Sequence, residues 1–160
     1  MHELIERARP VRLVLFDVDG VLTDGRLSYS SHPDAPDKED GKVFHVRDGL
    51  GMKLLMQAGL NIGIITARSS LAVARRMADL GVQHVYQGQH DKLASYEDLI
   101  TKLGLSHEQA AYMGDDIIDL PVLRRVGLAA TVNDASAFMQ NHCHFVAQNR
   151  GGQGAARELF

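Results

Sequence analysis

Hydrophobic positions along this chain alternate between two periods. Val11 to Phe16, interrupted only by Arg12, is a short apolar run that reads as a buried strand. Leu60–Ile65, Val82–Tyr86, Ala110–Met113, Leu128–Val132 and His144–Ala147 repeat the pattern. Between them lie stretches with apolar residues three and four apart. One begins at Asp48, read as its cap, and carries Leu50, Met52, Leu54, Leu55 and Met56 to a stop at Gly59. Another starts at Ser69 or Ser70 and ends at Gly81, and a third runs from Asp91 to Gly104. Shorter helical pieces are expected before Pro10, after Ser106, from Asp116 to Val126 and near Ala135–Gln140.

Residues 26–46 depart from this rhythm. Arg26–Ser30 and Lys42–Val46 alternate as strands do, around an acidic stretch rich in turn formers, His32–Gly41, and together predict a hairpin flap. The strand–helix alternation elsewhere predicts an α/β fold: a doubly wound, mostly parallel sheet of Rossmann type with helices on both faces. One domain, residues 1–160, is expected, and the connections are too short for a cap domain over the sheet.

Composition adds exclusions. A net charge of −3 and the lack of any Lys/Arg cluster argue against nucleic acid as a partner. No run approaches membrane-spanning length. Cys143 is the single cysteine, which suits a reducing compartment, so a cytoplasmic protein is expected.

The candidate chemistry stands at the strand ends. Asp17 and Asp19 follow the first strand, Thr66 and Arg68 the second, Lys92 the third, and Asp115, Asp116 and Asp119 the fourth. In a doubly wound sheet these tips converge on one edge. Crowded carboxylates are costly without a cation, and Asp17, Asp19 and Asp115 offer the oxygen ligands that suit Mg²⁺. A carboxylate can attack phosphorus, a second can carry the proton, and Lys92 and Thr66 can hold phosphoryl oxygens. Asp116 is read as an even choice between a site acid and a helix cap, and Asp119 as support for the loop or for Lys92.

The stretches Asp17–Gly25, Ile64–Arg68, Tyr86–Gln89 with Lys92, and Gly114–Asp116 resemble the four motifs of the haloacid-dehalogenase-like phosphatases. Val46–Gly49 and Gly151–Ala155 further resemble their capless, homotetrameric branch, which acts on 3-deoxy-D-manno-octulosonate 8-phosphate in lipopolysaccharide sugar synthesis. The resemblance implies Asp17 as nucleophile, Asp19 as general acid/base and Lys92 on the phosphoryl group. It implies Mg²⁺ on Asp17, the main-chain carbonyl of Asp19, and Asp115. It implies substrate contacts from Asp19, His45, Val46, Arg47, Asp48, Gly49, Lys53, Thr66, Arg68, Arg76 and Lys92. It also implies an active site at an interface between copies of the chain. Ala67 and Gln153 depart from the family's usual glycine and arginine, and the sequence ends at Phe160 where relatives run on into a helix and tail.

Three other readings stay open on the sequence alone. The substrate could be a nine-carbon acid such as 2-keto-3-deoxynononate 9-phosphate. A receiver-type signalling domain also places acids, a Thr and a Lys around an acceptor aspartate on a parallel sheet, and a shortened C-terminus could leave a non-catalytic interaction domain. Asp19 two residues beyond Asp17 favours the hydrolase.

Overall fold

A computed structural model of the chain describes residues 2–28 and 41–160. Six strands, β1 (Leu13–Phe16), β2 (Asn61–Ile65), β3 (His84–Tyr86), β4 (Ala110–Met113), β5 (Leu128–Thr131) and β6 (Phe145–Val146), form one sheet in the order β3-β2-β1-β4-β5-β6. Every pairing among them is parallel. The α-helices are α1 (His2–Ala8), α2 (Val46–Gln57), α3 (Leu71–Leu80), α4 (Lys92–Leu103), α5 (Leu120–Leu123) and α6 (Ala137–Gln140).

Strand alternation divides the core into two layers. Val14 and Phe16 of β1 face one way, with Met52 of α2 and Val73, Met77 and Leu80 of α3. Leu13 and Leu15 face the other, with Tyr96, Leu99 and Ile100 of α4, Val122 and Leu123 of α5, and Met139 of α6. Winding runs outward from β1 in both directions and reverses between β1 and β4. Such a switch point opens a crevice at the carboxyl ends of its two strands, the usual ligand position in an open α/β sheet. Register brings the tips level, since Phe16 pairs with Ile64 on one side and Met113 on the other.

The helix starts follow the capping chemistry read from sequence at two places. Ser70 Oγ accepts the Val73 N–H and Asp91 Oδ1 the Ala94 N–H. Helix α2 differs. It begins earlier than expected, capped by His45, whose Nδ1 accepts the Arg47 N–H. Asp48 therefore lies inside the first turn, buried, with Oδ1 accepting the Arg157 N–H from the C-terminal segment. Glycine inside α2 lowers helix propensity, but Gly51 admits the Phe160 ring, which would lie about 2.0 Å from a Cβ placed there. Phe160 in turn packs edge-on to Phe16 at 5.7 Å. The helix expected through Val126 ends at Leu123, after a 3-10 turn over Ile117–Asp119 that Asp116 caps.

The hairpin expectation needs correction where the structure describes it. Residues 26–28 and 41–45 belong to no strand, and Val46 is already helical. The segment leaves the tip of β1, a central strand with β2 and β4 on its two sides, so no sheet edge is available to it. A strand pair alone is marginal. Residues 29–40, which take in the end of the first expected strand and all of the expected tip but Gly41, lie outside the described residues.

Candidate active site

The loop after β1 starts with Asp17, nearly buried, whose Oδ1 accepts the Val18 N–H at 2.6 Å. Its Oδ2 lies 2.7 Å from Lys92 Nζ. Lys92 is the first residue of α4, where a helix N-terminus disfavours a cation. Acids compensate, because Nζ is also 2.7 Å from Asp119 Oδ1. Burial works against the Lys92 charge, but Asp119 and Asp17 outweigh it and hold its pKa above the ordinary lysine value.

Asp119 organises the rest. Its Oδ1 accepts from Lys92 and from the Tyr112 hydroxyl, and its Oδ2 from the main-chain N–H groups of Asp115 and Asp116. With four donors on two oxygens, this carboxylate is committed to the protein. Asp115 is less bound. Its carboxylate lies against Gly20, where a Cβ would come within 2.1 Å of Oδ2, and Gly20 also takes φ +86 to turn the chain.

Asp17, Asp115 and Asp119 each place a carboxylate oxygen within 4.8 Å of the other two. That crowding, with burial, shows in the ionisation of Asp17 and Asp115. Burial first, then the charge of Asp119, pushes Asp17 up to about 7 despite Lys92. Burial, then Asp17 and Asp119, pushes Asp115 up to about 7. An all-oxygen donor set with this excess of negative charge fits a hard divalent cation such as Mg²⁺. Asp17 and Asp115 are the members left to bind one.

The second carboxylate of the loop, Asp19, points elsewhere. Its Oδ1 is 2.5 Å from Lys42 Nζ, and its Oδ2 is 3.9 Å from Arg68 Nε. Thr66 follows β2, buried, with its N–H donating to Tyr86 O and its carbonyl accepting the Gln89 N–H. Gly88 N donates to Arg68 O, so the loops after β2 and β3 are stitched together around Thr66 and Arg68.

The remaining sequence candidates form a separate group. His45, Asp48, Gly49 and Arg76 line a small pocket between α2 and α3, with Leu22, Phe44, Met52, Met77 and Leu80. Asp48 Oδ2 is buried there and accepts no hydrogen bond. Arg76 stacks over Phe44, 5.9 Å from the ring centroid. Val46, Arg47 and Lys53 are exposed on the same helix. The structure thus brings Asp17, Thr66, Lys92 and Asp115 to one crevice, joins Arg68 to it through Asp19, and sets the residues of α2 and Arg76 on another face.

Two supports escaped the sequence reading. Lys42 reads in sequence as part of a flap strand, and nothing local to it shows a partner 23 positions away. The C-terminal glycine-rich loop braces the loop after β1: Gly152 N donates to Val21 O at 2.9 Å, and a Cβ on Gly151 would come within 1.8 Å of Gly20 O. Asp134 Oδ1 holds that loop by accepting the Gly151 N–H.

Comparison with known proteins agrees with this geometry. The profile of the haloacid dehalogenase-like hydrolases matches residues 82–159. The 3-deoxy-D-manno-octulosonate 8-phosphate phosphatase KdsC of Yersinia pestis is 42% identical over 157 residues, spanning 98% of this chain and 81% of that protein. A crystal structure of the Yersinia pestis phosphatase superposes with a TM-score of 0.92 at 41% identity, over 98% of this chain and 82% of that one. The Moraxella catarrhalis phosphatase, solved with a magnesium ion, a phosphate ion and a KDO molecule, gives a TM-score of 0.93 at 38% identity, over 99% of this chain and 88% of that one.

Proposed function

This chain belongs to the haloacid dehalogenase-like hydrolases, in their 3-deoxy-D-manno-octulosonate 8-phosphate phosphatase branch, and from that membership we propose the role of each residue in the site. It is a Mg²⁺-dependent phosphoric monoester hydrolase that converts 3-deoxy-D-manno-octulosonate 8-phosphate to the free sugar acid and phosphate. Asp17 is the nucleophile and forms an aspartyl phosphate. Asp19 donates a proton to the departing sugar hydroxyl and then takes one from the water that cleaves the intermediate. Lys92 and Thr66 hold the phosphoryl oxygens. Mg²⁺, held by Asp17, Asp115 and the main-chain carbonyl of Asp19, supplies positive charge against the carboxylates and the phosphoryl group.

The observation that carries this reading is the Asp17–Lys92–Asp119 chain at the switch point. Lys92 holds Asp17 in one orientation, and Asp119 fixes Lys92 without competing for substrate. In a receiver-type domain the acceptor stands alone at its strand, whereas here a second carboxylate, Asp19, follows Asp17 by two residues.

One domain, residues 1–160, carries this site, and further copies of the chain complete it as a cytoplasmic homotetramer. The support is an apolar stripe on the surface. Val46, Leu50 and Leu54 recur every four residues along α2, at 76%, 52% and 47% exposure, and Val43 beside them is 80% exposed. Aligned apolar residues at helical spacing on a surface mark an interface. The same helix carries Arg47 and Lys53, and His45, Arg47, Asp48, Gly49, Lys53 and Arg76 then serve the sugar acid across that interface. A sugar acid phosphate bears a carboxylate and a phosphate, so a site without a cap needs several cations to hold it.

The substrate is tested by phosphate release from 3-deoxy-D-manno-octulosonate 8-phosphate and from 2-keto-3-deoxynononate 9-phosphate, with and without Mg²⁺. A higher kcat/KM on the eight-carbon acid, lost on chelation, is expected. A preference for the nine-carbon acid would reassign the substrate.

A further inference from the structure

Asp19 is gripped by a residue to which the family's motifs give no role. Lys42 stands on the arm that returns toward α2, and its side chain is only 4% exposed. Its chain neighbours Gly41 and Val43 face solvent, while Lys42 and Phe44 face inward. Inward and outward facing therefore alternate along residues 41–44 as they do on a strand. Phe44 anchors the arm, packing against the core layer of α2 and α3 beneath the Arg76 guanidinium. Two residues earlier, the Lys42 ammonium meets Asp19 Oδ1 at 2.5 Å. A buried ammonium is tolerated only when paired, and a charge-assisted hydrogen bond to a carboxylate is among the strong ones. Arg68 on the other oxygen stands off at 3.9 Å and is about half exposed, at 47%. Lys42 is thus the close partner.

We propose that Lys42 is a positioning residue for the reaction: it fixes Asp19 through Oδ1 and leaves Oδ2 to exchange the proton. This rests on the acid/base reading of Asp19. In the first half-reaction the Asp17 oxygen–phosphorus bond forms and the phosphorus–sugar oxygen bond breaks, while the proton on Asp19 Oδ2 passes to the departing oxygen. In the second, water oxygen bonds to phosphorus, the bond to Asp17 breaks, and a water proton returns to Asp19 Oδ2. An aligned Asp19 matters in proportion to how badly the leaving oxygen needs a proton. A sugar alkoxide needs one, whereas p-nitrophenolate leaves without it.

The test compares kcat/KM, which reports transfer of the phosphoryl group to Asp17, on 3-deoxy-D-manno-octulosonate 8-phosphate and on p-nitrophenyl phosphate. The Mg²⁺-loaded full chain is used for wild type, Lys42→Met, Lys42→Arg and Asp19→Asn. Lys42→Met is expected to lose at least about tenfold more on the sugar phosphate than on the aryl phosphate, with Lys42→Arg recovering most of it. Where Lys42→Met does not fold, Lys42→Gln takes its place. Equal losses on both substrates, or no loss on the sugar phosphate, would overturn the role of Lys42. If Asp19→Asn is selective and Lys42→Met is not, the acid/base reading stands and Lys42 alone is wrong. If Asp19→Asn shows no selectivity, both fall.

Discussion

The ammonium of Lys92 lies 2.7 Å from the Asp119 carboxylate, with both side chains wholly buried. Twenty-seven positions separate them in sequence, and each begins or closes a different loop at the β1/β4 crevice. Asp119 is the centre of the network, since Lys92, Tyr112 and two main-chain N–H groups all converge on it.

Removing that centre strands several buried groups at once. Asp119→Ala is expected to cost about 3–5 kcal/mol, the range for breaking a buried ion pair from one side. Tyr112→Phe removes one donor and is expected to cost about 1–2 kcal/mol. Urea denaturation of the two variants measures the difference, and comparable losses would contradict the central place of Asp119.

Metal and proton compete for the same oxygens. Asp17 and Asp115 stand at about 7 against an ordinary 3.8, so the folded protein binds more protons than the unfolded chain between those values. For a raised carboxyl, stability falls as pH rises through this window. The EDTA-treated protein should melt higher near about pH 5.5 than near about pH 8, and saturating Mg²⁺ should reverse the order, because it binds the deprotonated pair. Melting curves at the two pH values, with EDTA and with Mg²⁺, check both signs.

Gly20 is a position where space and backbone coincide. Gly20→Ala forces a Cβ against Asp115 Oδ2, at 2.1 Å, and strains a backbone at φ +86. A stability loss of about 1–3 kcal/mol is expected, together with a Mg²⁺ affinity at least about tenfold weaker, since displacing a ligand matters more than perturbing a supporting partner. Calorimetric titration with Mg²⁺ measures it, and an unchanged affinity would remove Asp115 from the metal site.

The exposed stripe on α2 is tested by charge. Leu50→Glu places a carboxylate at its middle without touching the buried core. Light scattering should show dissociation of the assembled protein, and activity on the sugar phosphate should fall at least about tenfold if residues of α2 complete the site across the interface. A variant that stays assembled and active would contradict that placement.

The crevice was legible because parallel strands announce themselves. Short apolar runs followed by polar residues locate Asp17, Thr66, Lys92 and Asp115 at strand tips, and the switch point then brings them together. Three features were hidden because tertiary contacts decide them. Asp48 looks like a cap, yet His45 takes that place, freeing Asp48 to bind the C-terminal segment. The alternation around Lys42 reports correctly which residues face inward, but not that residues 41–45 stay outside the strands. Gly151 stands in sequence only as part of a glycine-rich stretch, while in the structure its missing side chain lets one loop lie on the Gly20 carbonyl.

Phosphoryl transfer by this site passes through a covalent phosphate on Asp17. Mg²⁺-loaded enzyme is mixed with 3-deoxy-D-manno-octulosonate 8-phosphate, quenched in acid during turnover and mapped by peptide mass spectrometry. A phosphorylated peptide containing Asp17, absent from Asp17→Asn, which should also release no phosphate, is the expected result. Phosphate on another residue, or turnover by Asp17→Asn at the wild-type rate, would contradict it.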